Sequence, residues 1–386
     1  MTTGKNLRLA AAAAAVAAVL AACGGGGGTE PPRTNITKVV VTGDSLADVG
    51  TFGLKFTVQN AANPTAGFPI FPQIVAENFG VTGQCNFFAS PDGGRTFSQN
   101  AACTNFAVGG GRIANPASQG GAAAPFSIPL QLAAAAQARG GAYAATDFVL
   151  VDGGGNDAAD LVSAFLAAGQ GKVAEYQAFL AQQLPPATIA SVLPQPNGAA
   201  IAAGLYMQTL ADTYYNAIKA NALDKGATHV AVLNVPDITL TPRFRAALAG
   251  VSRASGAAAA TQLQGAIRQW ITGFNSQLQA RVGGDARVAV VDFYADFTDE
   301  VTHPADYGLS NATDAACPVT GVDSSGLPTY TFATCTSAAL DAAPPTGLAA
   351  GWWQTWTFSD GFHPTPFGHR LLASSVSRAS ARAGWI

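Results

Sequence analysis

The chain is short of charge. Of its 386 residues only 11% are Asp, Glu, Lys or Arg, and the formal net charge is −3. No Lys/Arg cluster occurs anywhere, so nothing in the sequence would follow a phosphate backbone, and nucleic acid is not expected as a partner. Histidine is scarcer still, with four copies, and no C-x-x-C spacing accompanies the five cysteines. A structural metal centre is therefore not expected, and no cofactor motif is evident. There is no internal repeat. The serine motif G-x-S-x-G is missing, which excludes the nucleophile elbow of the α/β-hydrolases. What the chain does have is 48% hydrophobic residues and 43 glycines. That is ample material for a core, and it excludes a disordered chain.

The longest apolar run, Leu9 to Leu20, is too short to span a bilayer comfortably. Lys5 and Arg8 precede it, and Ala21, Ala22 and Cys23 follow, the layout of an export signal over residues 1–22. Leu20-Ala21-Ala22-Cys23 resembles the bacterial lipobox, which implies that Cys23 is lipidated and becomes the first mature residue. An ordinary secretory signal, with Cys23 a bystander, is the alternative. Residues 23–35, with five consecutive glycines and two prolines, read as a flexible tether. The expected location is the bacterial cell envelope, as a lipoprotein of the outer membrane or as a secreted protein. Four cysteines remain, Cys85, Cys103, Cys317 and Cys335. An even number in an exported chain points to disulfides. The pairs Cys85–Cys103 and Cys317–Cys335 are favoured because each brackets one Gly/Ser/Thr-rich loop.

From residue 36 on, short apolar segments alternate with helical ones. Strands are expected at 36–42, 105–108, 147–151, 229–233 and 287–293. Helices are expected in the stretch 68–76, at 129–139, 158–167, 199–223 and 258–282, and from Pro366 to Ala381. Strands without polar alternation must be buried on both faces. The expectation is a single α/β domain over 36–386, a parallel five-stranded sheet between helical layers. Its extra length sits in loops 54–103 and 294–358, which would roof one sheet edge.

The first strand ends at Gly43-Asp44-Ser45, which puts Ser45 at the C-terminal edge of the sheet, where open α/β folds bind ligands. A serine needs a base to become a nucleophile. Among His229, His303, His363 and His369, His363 stands in Ser359-Asp360-Gly361-Phe362-His363-Pro364, with the acid Asp360 three residues before it. Such an acid can fold back within one turn and fix the imidazole tautomer. His303, in a loop before Pro304, is the competitor. His229 reads as a structural residue at a strand start, and His369 as packing or surface on the last helix. Acyl transfer also needs donors for an oxyanion. The Ser45 N–H, a glycine of Gly109-Gly110-Gly111 and the amide of Asn156 all follow strand ends. Asp44, Asp48 and Asp157 read as structural carboxylates. The aromatics between Trp352 and Phe358 either pack on the core or line the cleft.

Gly43-Asp44-Ser45-Leu46, Asn105-Phe106-Ala107-Val108-Gly109-Gly110, Gly154-Gly155-Asn156-Asp157 and Asp360-Gly361-Phe362-His363-Pro364 occur in that order. Together they resemble the GDSL esterases/lipases of the SGNH hydrolase superfamily. Asn234-Val235-Pro236-Asp237 and Tyr307-Gly308 with Cys317 are softer matches. The resemblance implies a three-layer α/β/α sandwich with a flavodoxin-like sheet. It also implies Ser45, Asp360 and His363 as a catalytic triad, and Ser45, Gly110 and Asn156 as the oxyanion hole. The implied activity is a serine carboxylic-ester hydrolase that passes through a covalent acyl-enzyme. A lipid acyltransferase or phospholipase with the same triad, and a non-catalytic surface lipoprotein serving as a binding module, are the alternatives. The partners implied are a small-molecule or lipid ester and, through Cys23, a membrane.

Overall fold

The computed structural model describes residues 34–386. The export signal, Cys23 and most of the tether lie outside the described residues. Four strands form the central sheet: β1 (Lys38–Thr42), β2 (Asp147–Val151), β3 (Val230–Leu233) and β4 (Val288–Val291). They lie side by side in that order, and every pairing is parallel. Each strand is built from β-branched and other apolar residues, and β1 to β3 are almost entirely buried, as a sheet covered on both faces requires.

Alternation along the strands separates two cores. Val40, Val149, Val151, Val230 and Val232 face one way. They pack under helices that include α2 (Ile128–Ala138), α3 (Gly155–Gly169), α6 (Gly198–Asn221) and α8 (Ala257–Val282). Val39, Val41, Phe148, Leu150, Leu233 and Val291 face the other way. Their cover is α1 (Phe71–Asn78), α9 (Phe293–Thr302) and α11 (Pro366–Arg382). The penultimate residue, Trp385, is buried in this second core, with its ring edge-on to Phe148 and His229. The three-layer sandwich is thus present.

Its sheet has four strands, not five. Residues 105–108 do run parallel to β1: Phe106 N–H donates to the Val41 carbonyl and Val41 N–H to that of Thr104. The ladder goes no further as a regular strand. The Asn105 side chain accepts from its own neighbour Ala107 N–H and donates to the Ala47 carbonyl. A side chain that satisfies the backbone locally competes with strand pairing. With this segment counted at the edge, the spatial order is 2-1-3-4-5, the flavodoxin-like arrangement.

The helix starts share a device. Ser127, Thr241 and Thr365 each accept a hydrogen bond from the backbone N–H three residues on, and a proline stands in the first turn that follows. Thr365-Pro366 starts α11 in this way, as the sequence indicates. Five helices go beyond the sequence reading: α4 (Val173–Leu180), α5 (Pro186–Val192), α7 (Pro242–Ser255), α9 and α10 (Ser337–Ala342). Phe293, Phe297 and Val301 do recur at helical spacing in α9, but Asp and Thr between them disguise the pattern. The region after it is less loop-like than expected. It carries short strands at Asn311–Ala315 and Trp356–Phe358 and the helix α10 (Ser337–Ala342).

Both expected disulfides form, Cys85–Cys103 and Cys317–Cys335. They suggest an exported protein. Among the described residues no helix is long and apolar enough to cross a membrane. Cys317 and Cys335 join Val58, Leu340 and Trp353 in a small separate core that Trp352 and Trp356 flank. The tryptophans before Asp360 therefore pack on the disulfide and not on the sheet. The bridge closes a separation of 18 residues, for which loss of unfolded-chain entropy gives about 3 kcal/mol. Replacing both Cys317 and Cys335 by serine is expected to lower stability by about that amount in chemical denaturation. An unchanged midpoint would show that the small core holds itself.

Candidate active site

Ser45 lies just beyond the C-terminal end of β1, in a turn held from several sides. Gly43 N–H donates to the Gln131 side chain of α2 at 2.8 Å, and Val108 N–H donates to the Gly43 carbonyl. Asp44 turns its carboxylate back onto Leu46 N–H. Asp48 accepts from Gly50, Thr51 and Gly109 N–H, which ties this turn to the one after residue 108. Burial pushes the Asp48 carboxyl up to about 6, against the pull of those three donors. The approach of the two turns demands glycine. A Cβ on Gly111 would lie 2.7 Å from the Gly43 carbonyl oxygen.

The partner of its hydroxyl comes from the other end of the chain. His363 Nε2 is 2.7 Å from Ser45 Oγ, across 318 residues of sequence. Asp360 accepts from Nδ1 through both oxygens, at 3.0 and 2.9 Å. That leaves the Nε2 lone pair free to accept the serine proton. The Asp360 carboxylate also takes the N–H groups of Phe362 and His363, so its own turn locks it. Ser359 anchors this turn to the loop after Ser45. Its hydroxyl donates to the Pro364 carbonyl and accepts from Val58 N–H, and its N–H donates to the His363 carbonyl. Burial acts against charge on both partners. Even so, the facing imidazole and the hydrogen bonds hold Asp360 below the usual carboxylate range. Asp360 in turn holds His363 above its ordinary value of 6.5.

The three glycines after Val108 differ in what their N–H groups do. Gly109 donates to Asp48 and Gly111 to the Val108 carbonyl. The Gly110 and Ser45 N–H groups have no acceptor among the described residues. Arg112, paired with Asp160, grips the Gly110 carbonyl. Asn156, at the start of α3, sits at the same edge, and its amide is already engaged. Nδ2 donates to the Gly111 carbonyl at 3.1 Å and, more loosely, to Asp44 at 3.3 Å. The structure thus joins Ser45, His363 and Asp360 in one chain of hydrogen bonds, while Asn156 reaches Asp44, the residue before Ser45, and the carbonyl of Gly111, the residue after Gly110.

The other histidines fall elsewhere. His303 closes α9 on the surface, and its Nδ1 lies 2.8 Å from Asp299. This is an acid–imidazole pair with no serine hydroxyl on it among the described residues. His229 meets the Thr228 hydroxyl at the start of β3. His369 is fully buried in α11 and lies parallel to Phe71, and burial depresses it to about 3. It is a packing residue. Asp157 is structural too, accepting from Ile113 and Ala114 N–H.

Several residues at this edge escape a reading of motifs. Asp152, at the end of β2, is pushed well above the carboxylate range by burial and by the neighbouring Asp44, to which it can donate its proton. Phe56 lies against the His363 ring, with centroids 5.2 Å apart, and Phe332 meets it edge-on at 5.4 Å. Phe52 extends this wall from Phe56 toward Phe126. Phe52-Gly-Leu-Lys-Phe56, directly after the Gly-Asp-Ser turn, is the only sequence signal for them. Lys55 fixes that stretch by donating to the carbonyls of Ala66 and Phe68 and to Gln73.

A family model described as GDSL-like Lipase/Acylhydrolase matches residues 39–376, most of the chain. No curated protein matches it. Among the described residues no group of His, Cys, Asp and Glu is arranged to hold a metal ion.

The geometry fixes a sign for the imidazole. The His363 ring protons are expected to titrate above 6.5 by NMR, and Asp360→Asn is expected to bring that midpoint down. The stability His363 gains from the carboxylate is fully present below 6.5 while Asp360 stays ionised, and it fades as pH rises through the folded value. A midpoint that Asp360→Asn leaves unmoved would mean the carboxylate is not what raises it.

Proposed function

Because the chain belongs to the GDSL-like lipase/acylhydrolase family, a family of ester-bond hydrolases, we propose that it is a serine carboxylic-ester hydrolase with Ser45, His363 and Asp360 as its catalytic triad. The observation that carries this reading is the unbroken chain of short hydrogen bonds from Ser45 Oγ to His363 Nε2 and from Nδ1 to Asp360. In the first step Ser45 Oγ attacks the ester carbonyl carbon and its proton passes to Nε2. Asp360 stabilises the imidazolium and keeps its orientation. The oxyanion that forms is met by the N–H groups of Ser45 and Gly110, and by Asn156 Nδ2 as it gives up its long contact to Asp44. Collapse breaks the bond to the alcohol oxygen, which leaves with the proton from Nε2, and the acyl group stays on Ser45. Water then attacks the acyl-enzyme, His363 takes its proton, and Ser45 is regenerated as the acid departs.

Phe52, Phe56 and Phe332 give the cleft an apolar wall beside the imidazole, which suits an acyl chain or an aromatic ester group. The export signal and the lipobox-like segment support a protein tethered to the cell envelope through a lipid on Cys23, with its esterase domain held off the membrane by the glycine-rich segment.

A fluorophosphonate probe is expected to label the wild type and not Ser45→Ala. His363→Ala is expected to lower kcat on a short-chain ester by about four to six orders of magnitude, and His303→Ala to leave it unchanged. Labelling of Ser45→Ala, or the opposite outcome for the two histidines, would move the nucleophile or the base elsewhere. The anchor has its own test, since the mature protein should carry a lipid mass on Cys23 and fractionate with membranes, and Cys23→Ser should abolish both. A membrane-bound Cys23→Ser protein would rule the lipid out as the tether.

A further inference from the structure

One buried acid beside the serine turn takes no part in the acyl transfer. Asp152 follows β2, whose last residue, Val151, pairs with Thr42 at the end of β1. The Asp152 N–H donates to the Thr42 carbonyl at 3.0 Å, which sets it beside Gly43 and Asp44. The fit is close, since a Cβ on Gly43 would lie 3.0 Å from that of Asp152. Asp44 and Asp152 are 3% and 5% exposed, and both line one cavity of about 50 Å³.

The two carboxyls differ in what they meet. Asp44 Oδ1 accepts from Leu46 N–H at 3.0 Å, and Oδ2 lies 3.3 Å from Asn156 Nδ2. Asp152 Oδ2 is buried and meets no donor among the described residues. A buried carboxylate oxygen left so is costly, and a proton of its own removes the cost. Burial and the Asp44 charge push the Asp152 carboxyl well above the carboxylate range, against the pull of the Gly153 and Asp44 N–H groups. His363, Arg112 and Tyr214 of α6 are close enough for their charges to act on the pair, and Glu300 of α9 lines the same cavity. Asn156 has two amide protons to give. The Gly111 carbonyl takes Nδ2 at 3.1 Å, so the remaining proton is contested between Asp44 and the oxyanion.

We propose that Asp152 is a positioning residue that donates its carboxyl O–H to Asp44, so that Asp44 keeps only a loose hold on Asn156 Nδ2 and yields it to the oxyanion. The assignment rests on the reading of Ser45 as nucleophile and of Asn156 as an oxyanion donor. An O–H bond to a carboxylate is of the charge-assisted kind, about twice as strong as a neutral one. It occupies a lone pair of Asp44 that would otherwise draw the Asn156 amide inward. It also keeps the two acids at a single negative charge, so the oxyanion does not form beside two.

Removing the donor is expected to lower kcat and leave KM, because the oxyanion exists only in the transition state. Asp152→Ala and the near-isosteric Asp152→Leu should each lower kcat on a short-chain ester by about ten- to a hundredfold. Asp152→Asn, whose amide can donate in place of the O–H, should restore most of that loss. In an Asn156→Ala background, where the contested donor is gone, Asp152→Ala should cost little more. At neutral pH the infrared difference between wild type and Asp152→Asn should contain the band of one protonated carboxyl. Unchanged kcat in the alanine and leucine variants, an asparagine variant as impaired as they are, a full further loss in the Asn156→Ala background, or no such band would overturn the assignment, while fluorophosphonate labelling of wild-type Ser45 still upheld the nucleophile. Failure of the wild type to label would overturn the nucleophile itself, and this assignment with it.

Discussion

Everything at the active edge depends on one contact that the chain makes late and over a long distance. The 2.7 Å approach of Ser45 Oγ to His363 Nε2 joins the turn after the first strand to the turn before the last helix. A hydrogen bond of that length tolerates little error, and neither side chain has reach to spare. The surrounding structure supplies the precision by fixing the backbone on both sides. Gln131, Asp48 and the close glycine turn hold the serine. Asp360, Ser359 and the start of α11 hold the imidazole. Ser359 also reaches Val58, so the two turns share a strut as well as a contact.

The same edge is crowded with acid. Asp44, Asp48, Asp152 and Asp157 are all buried close to the serine, and burial raises each of them. Asp48 and Asp157 are answered by backbone N–H groups, which makes them fasteners between turns. Asp44 turns its carboxylate onto Leu46 N–H, and its charge adds to burial in raising Asp152. This economy of charge matches the composition. A chain with so few ionisable residues places a good part of its acids where they organise the backbone and not on its surface.

Much of this was legible because the informative residues stand at strand ends. Two-sided burial makes strands such as Val39-Val40-Val41 and Phe148-Val149-Leu150 read as unbroken apolar runs. A parallel sheet then delivers whatever follows them to a single edge. Gly-Asp-Ser, the three glycines and Gly-Asn-Asp could be placed that way, and the Asp-x-x-His turn drew attention through the scarcity of histidine. Less could be read where side chains override local pattern. Asn105 spends its amide on neighbouring backbone and keeps the fifth strand from forming. Helix α9 hides its Phe293, Phe297 and Val301 stripe among acids and threonines. The aromatic wall of Phe52, Phe56 and Phe332 left only the Phe52–Phe56 spacing as a trace in the sequence, since its members meet only when two distant loops fold over the imidazole and one of them is closed by the Cys317–Cys335 bridge.

Trp385, one residue from the end of the chain, fills the second core against Phe148 and His229. The final helix and this ring complete one whole face of the sheet, and the same terminal segment brings the imidazole. Until that segment docks, one face of the sheet lacks its cover and Ser45 lacks its hydrogen-bond partner, so the second core and the Ser45–His363 contact are completed in the same step.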